Sequence, residues 1–98
     1  MLLGFIRQKP ADPFPRYALA LEYKNAGRLD EAKSTFGELM TASPDYTPAY
    51  LHAGNVFVAL GQIDEARGVW ERGVLACVRC GDAHARGEIE SALGGLPG

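Results

Sequence analysis

Gly27-Arg28-Leu29-Asp30-Glu31-Ala32 returns 34 residues later as Gly61-Gln62-Ile63-Asp64-Glu65-Ala66, and this echo decides the fold. Gly27 matches Gly61, Asp30 matches Asp64, Glu31 matches Glu65 and Ala32 matches Ala66. In the same register Ala42 matches Ala76, and two aromatic pairs fall in line, Tyr23 with Phe57 and Phe36 with Trp70. A gap-free period of 34 with helical patterning on both sides of a glycine marks a helix–turn–helix solenoid. Such repeats build binding surfaces more often than catalytic pockets.

Working outward from the echo, five helices are predicted. Asp12-Pro13 starts the first, because Asp can accept from the free N–H groups of the first turn and Pro at the first helical position loses no bond. It runs from about Pro13 to Ala26, with Tyr17, Ala20, Leu21, Tyr23 and Ala26 as its apolar positions, and Gly27 closes it. The second begins at Asp30 as N-cap, turns Ala32, Phe36, Leu39 and Met40 inward, and stops at Ser43-Pro44, where the residue before Pro is pushed out of the helical region. Thr47-Pro48 repeats the cap-plus-Pro start for a third helix ending at Gly61. Asp64 caps a fourth helix reaching about Arg79, with Ala66, Val69, Trp70, Val74 and Cys77 facing in. Gly81 ends it, and Asp82 opens a fifth helix to about Leu93 before the Gly94-Gly95 and Pro97-Gly98 breakers. No stretch alternates apolar and polar long enough to read as a strand.

The bulk composition narrows the function classes. The 98 residues suit one small domain, read as 12–98, and the hydrophobic and charged fractions are those of an ordinary globular chain. A net charge of −2 supplies no basic field to gather phosphates, so nucleic acid is not an expected partner. The lead-in, residues 1–11, is apolar at Leu2, Leu3, Phe5 and Ile6. Its run is broken by Gly4 and followed by Arg7 and Lys9, too short for a signal-peptide core or a bilayer span. No membrane attachment and a cytoplasmic, bacterial-type protein are therefore expected. The lead-in is expected to cross the first repeat or to contact a second chain, which leaves a homodimer open.

These residues resemble tetratricopeptide repeats across about 13–79, with repeat one at about 13–46, repeat two at about 47–80 and a capping helix at about 82–93. The resemblance rests on small residues where paired helices cross, Ala20 and Gly54 then Ala32 and Ala66, on the interhelical aromatics Tyr23, Phe57, Phe36 and Trp70, and on Pro44 at the inter-repeat turn. The chain departs from the family pattern at Arg16 and Tyr50, where tryptophan is frequent, and at Val78, where a terminal Pro would stand. The capping helix would place Ala85, Ile89, Ala92 and Leu93 inward and Asp82, His84, Arg86, Glu88 and Glu90 outward. The resemblance implies an all-α helical-hairpin solenoid that is not an enzyme and needs no cofactor. It also implies a concave groove holding a protein or peptide partner, with Phe14, Tyr17, Leu21, Lys24 and Asn25, then Leu51, His52, Asn55, Val58 and Ala59, and Arg86 from the cap as its lining. Some relatives clamp a chain-terminal carboxylate with Lys, Asn and Arg. Here Asn55 and Arg86 fall at such places, but Tyr17, Leu21 and Leu51 hold others, so the groove reads as largely apolar and suited to an amphipathic helix or an extended peptide.

Other chemistry finds little footing. Cys77-Val78-Arg79-Cys80 has the CxxC spacing, but no second CxxC completes a zinc set, and a helix C-terminus disfavours thiolate. Cys77 is read as a small core residue and Cys80 as a helix-end residue. His52 is placed on the inner surface of the third helix and His84 on the exposed cap. Asp30-Glu31 and Asp64-Glu65 read as helix-start residues because they repeat there, and no phosphate-binding glycine loop is present.

Overall fold

Both echoed glycines sit at φ +76°, in the left-handed region that glycine enters without a Cβ penalty, and each closes a helix in the same way. The Gly27 N–H donates to the Lys24 carbonyl and the Arg28 N–H to Tyr23, and Gly61 and Gln62 repeat this toward Val58 and Phe57. Two nested bonds of this kind are a Schellman closure. In the first of them the Arg28 guanidinium also lies 5.0 Å from the centre of the Tyr23 ring.

The computed structural model describes residues 12–97 and, among them, five helices and no strand. They are α1 (Pro13–Asn25), α2 (Leu29–Ala42), α3 (Pro48–Ala59), α4 (Ile63–Cys80) and α5 (Ala83–Gly94). The fold is thus an all-α helical repeat. The expectations for residues 1–11, including their part in a homodimer, lie outside the described residues.

Helix starts depart from the sequence reading. Asp30 and Asp64 are not N-caps. Arg28 and Gln62 hold those positions without a side-chain bond, and the acids lie inside the first turn. The Schellman closures deliver the chain directly into the next helix, two residues earlier than an Asp cap would allow. In the first turn the acids still face the positive end of the helix dipole. Thr47 does not cap α3 either: its backbone is already helical, and its hydroxyl donates across the fold to Asp82 Oδ2 at 2.6 Å. Asp12 and Asp82 do cap, accepting from Phe14 N and Ala85 N. Helix α1 stops at Asn25, leaving Ala26 as its exposed C-cap. Helix α2 ends before Ser43-Pro44, whereas α4, with no Pro in that register, runs on to Cys80 and ends at Gly81, φ +73°.

Packing follows the hairpins. α1 packs on α2, α3 on both α2 and α4, and α5 on α4 and α3. The fully buried residues Ala20, Ala32, Phe36, Leu39, Ala49, Val56, Ala76 and Ile89 form one core with Trp70 and Tyr50. Gly54 is the tightest crossing, since a Cβ there would lie 1.9 Å from Trp70 Nε1. The indole can therefore lie on the α3 backbone and donate to the Leu51 carbonyl at 3.1 Å. Gly73 plays the same part under Tyr50, where a Cβ would come within 2.7 Å of Tyr50 Cβ. The Tyr50 hydroxyl closes the inter-repeat turn by donating to the Pro44 carbonyl at 2.6 Å. Gly73 and Ala76 join the inward face of α4, while Val74 and Met40 are only half-buried.

The curvature comes from which helices touch. α1 contacts α3, and α3 contacts α5, so these three form a continuous inner layer. The backbones of α2 and α4 do not approach one another, and the outer layer is splayed. The inner layer is the concave side.

Asp82 ties α3 to α5 within this inner layer. Its carboxylate takes the Thr47 hydroxyl at the start of α3 and the Ala85 N–H in α5, and both bonds hold its carboxyl below the usual range. A depressed folded value means that the unfolded chain takes up the proton first. The contribution is therefore present above the ordinary Asp value and lost as the pH falls through the folded value. Asp82→Asn is expected to lower the thermal midpoint at pH 7, with the gap to the parent closing at acidic pH. A gap independent of pH in circular-dichroism melts would contradict this.

Candidate concave binding face

The third helix brings Leu51 and His52 to the inner layer beside Tyr17 of α1, because residues near the middle of α1 and α3 meet where those helices touch. Ala85 of α5 completes a cleft of about 340 Å³, with Thr47, Asp82 and Glu88 on its edge. Tyr46, just before α3, packs against Tyr17 edge to face, with ring centres 5.3 Å apart. The His52 ring lies 5.9 Å from Tyr17 on the other side.

Lys24 Nζ, one α1 surface further on, stands 3.4 Å from His52 Nδ1, where the ammonium donates to the neutral imidazole. Burial first, and Lys24 second, hold the His52 pKa below its ordinary value, against a smaller opposing pull from Glu88. Burial raises the phenols of Tyr17 and Tyr46. Near neutral pH the cleft thus presents a neutral imidazole and a protonated phenol beside the Asp82 and Glu88 carboxylates, with the Tyr46 phenol and the Lys24 ammonium just behind Tyr17 and His52. With the folded His52 value lowered, the unfolded chain binds its proton first as the pH falls below about 6.5. The stability held above that value is lost as the pH drops through the folded one. Replacement by the uncharged amide in His52→Gln is expected to flatten the decline in unfolding midpoint between pH 7 and 5. An unchanged slope would show that His52 titrates as an exposed imidazole.

The sequence-expected groove residues are distributed unevenly. Tyr17, Leu51 and His52 meet in the cleft and Lys24 reaches it through His52. Leu21 is half-buried against the core, and Asn55 is half-buried along α3. Asn25 and Ala59 are exposed at helix ends, Phe14 is 62% exposed in the first turn of α1, and Val58 is 38% exposed. Arg86 does not line the cleft; it pairs with Glu90 one turn on, at 3.2 Å. Residues that the sequence reading left out of the groove include Thr47, Asp82, Ala85 and Glu88, with Tyr46 supporting Tyr17 from behind. No local signal marks them, since their contribution depends on how α1, α3 and α5 stack.

Cys77 is buried and Cys80 exposed, both as free thiols, and burial pushes the Cys77 thiol up, away from nucleophilic thiolate. Among the described residues no three His, Cys, Asp or Glu side chains gather as a metal set. His84 is mostly exposed, but it stands at the rim of the cleft and reaches Glu88 at 3.5 Å.

A family model described as tetratricopeptide repeat matches residues 25–76. The crystal structure of a tetratricopeptide repeat domain protein from Salinibacter ruber is 32% identical, with a TM-score of 0.78 over 84% of this chain and 92% of that one. A solution structure of a tetratricopeptide repeat domain protein from the same organism is 32% identical, with a TM-score of 0.80 over 86% and 85%. A solution structure of a protein from Bordetella parapertussis shares the fold at 24% identity, with a TM-score of 0.79 over 94% and 80%. No curated protein matches the chain.

Proposed function

The chain belongs to the tetratricopeptide repeat family, whose members are generally protein–protein interaction modules, and from that we propose that it is a non-enzymatic adaptor whose concave face holds a segment of a protein partner. The observation that carries the reading is the cleft itself. Tyr17, Leu51 and Ala85 offer an apolar centre, and His52, Lys24 and Glu88 offer polar edges that orient what enters. An aromatic anchor within a polar rim is the usual composition of a site that carries binding energy. The occupant is an amphipathic helix or an extended peptide, since both lay apolar side chains into such clefts. A cytoplasmic setting belongs to this reading. Among the described residues no helix is long and apolar enough to cross a membrane.

The test is selection of binders from a random peptide display library, followed by amide-shift mapping with the strongest peptide. Shifts centred on Tyr17, Leu51, His52 and Ala85, and loss of binding in Tyr17→Ala and Leu51→Asp, are the expected result. Shifts confined to α2 and α4 would overturn the concave assignment. Light scattering on the full chain and on one lacking residues 1–11 separates adaptor from homodimer.

A further inference from the structure

On the opposite side of the molecule the gap between α2 and α4 forms a second groove, of about 460 Å³. It exists because the outer helices do not meet, which leaves Tyr50 and Phe57 of α3 as its floor. Met40 of α2 and Leu75 of α4 form its apolar walls, and Leu75 is 61% exposed. Its charged lining is cationic: Lys33, Arg72 and Arg79, with no carboxylate among the lining residues. Arg79 is held at one end by Asp45 at 2.7 Å, whereas Lys33 and Arg72 have no ion-pair partner among the described residues. This is a local positive rim on a chain of net charge −2.

Gly37 gives the second, independent observation. It lies inside α2, where glycine weakens a helix, and it lines the groove. Nothing lies within 4 Å of where its Cβ would be, so no close packing demands a glycine, in contrast to Gly54 and Gly73. Its effect is to leave the α2 wall open between Lys33 and Met40, which stand one turn before it and one turn after it on the same stripe.

We infer that this outer groove docks an acidic amphipathic helix of a protein partner, with apolar side chains on Phe57, Met40 and Leu75 and carboxylates at Lys33 and Arg72. The stripe from Lys33 to Thr41 is about 12 Å long, which suits roughly two turns of partner helix in contact, the span of positions i to i+7. The charge complementarity selects an acidic over a basic helix and makes the docking salt-dependent. The concave face remains free for a different segment.

The probe is a fluorescein-labelled, 14-residue synthetic helix with leucines at i, i+3 and i+7 flanked by glutamates, followed by fluorescence anisotropy. A twin peptide carries lysines in place of the glutamates. Gly37→Glu is the decisive variant, because it adds a helix-forming residue in open space while filling the groove and pairing with Lys33. Its fold is checked by circular dichroism. The expected result is binding of the acidic peptide that weakens with salt and falls roughly tenfold or more in Gly37→Glu and in the Lys33→Glu, Arg72→Glu pair. Leu51→Asp, in the concave cleft, leaves this affinity unchanged. The proposal is overturned if the lysine peptide binds as well, if the acidic peptide does not bind up to millimolar concentration, or if only Leu51→Asp abolishes binding. It is also overturned if light scattering shows self-association that Gly37→Glu removes, which would assign the groove to a second copy.

Discussion

Trp70→Ala is expected to cost about 3–5 kcal/mol, the usual loss for truncating a large buried aromatic. The indole is 3% exposed and occupies the crossing of α3 and α4, where Gly54 lets it touch the helix backbone. Truncation removes its contacts with the core and leaves the Leu51 carbonyl without its indole donor. A domain of this size has a total stability of about 5–15 kcal/mol, so the loss consumes a large part of it. The thermal midpoint should drop by more than about 12 °C, on a scale of about 4–8 °C per kcal/mol for domains of this length. Circular-dichroism melts of the parent, Trp70→Phe and Trp70→Ala measure it, with Trp70→Phe between the other two. A drop of only a few degrees in Trp70→Ala would mean that the crossing does not depend on the indole. The substitution should also loosen the concave face, because Leu51 supplies both the indole's acceptor and a wall of the cleft.

Gly54→Ala is the complementary experiment and runs against helix propensity. In an exposed helix, alanine for glycine gains about 1 kcal/mol. Here the added Cβ would lie 1.9 Å from Trp70 Nε1, 2.2 Å from Cε2 and 2.5 Å from Cδ1, so the indole must be displaced. Overpacking of this kind typically costs about 1–3 kcal/mol, and a displaced indole also loses the Leu51 bond, so the net effect is destabilisation. The first repeat shows how to relieve it. The positions 34 residues earlier hold Ala20 and Phe36, a larger small residue beside a smaller aromatic, and both are fully buried. The double substitution Gly54→Ala, Trp70→Phe should therefore lose less than the sum of its two single changes. Coupling above about 0.5 kcal/mol in chemical denaturation is the expected sign of contact, and strict additivity would argue that the two positions do not share a pocket.

The size exchange at these crossings explains why the echo is legible yet incomplete. Gly27 and Gly61 recur because both turns need a left-handed residue, a local demand visible in any register. Ala32 and Ala66 recur because both lie at zero exposure in tight crossings. Leu39 and Gly73 do not match, although they are equivalent, because Gly73 faces Tyr50 and Ile89. The misread caps have a similar origin. Asp, Thr and Pro near a helix start signal a cap, but the Schellman closure had already set the start at Leu29 and Ile63, two residues earlier than caps at Asp30 and Asp64 would place it. Thr47 was claimed by Asp82, 35 residues away in sequence, which no local rule anticipates.

The candidate sites divide along the same line. Tyr17, Leu51 and His52 could be proposed from the inner-helix pattern alone, and the structure brings them into one cleft. Tyr46, Ala85 and the Lys24 contact with His52 could not, since they depend on neighbouring helices. The outer groove carries no motif. Its basic residues are scattered over two helices and meet only because α2 and α4 splay. The order of residues thus sufficed for the repeat, the helices, the turns and most of the core, since period, apolar spacing and φ preference act within a few residues. The cleft, the outer groove, the shared role of Asp82 and the pairing of small with large residues were left to folding, because burial, ion pairing and steric fit depend on which helices come to lie side by side.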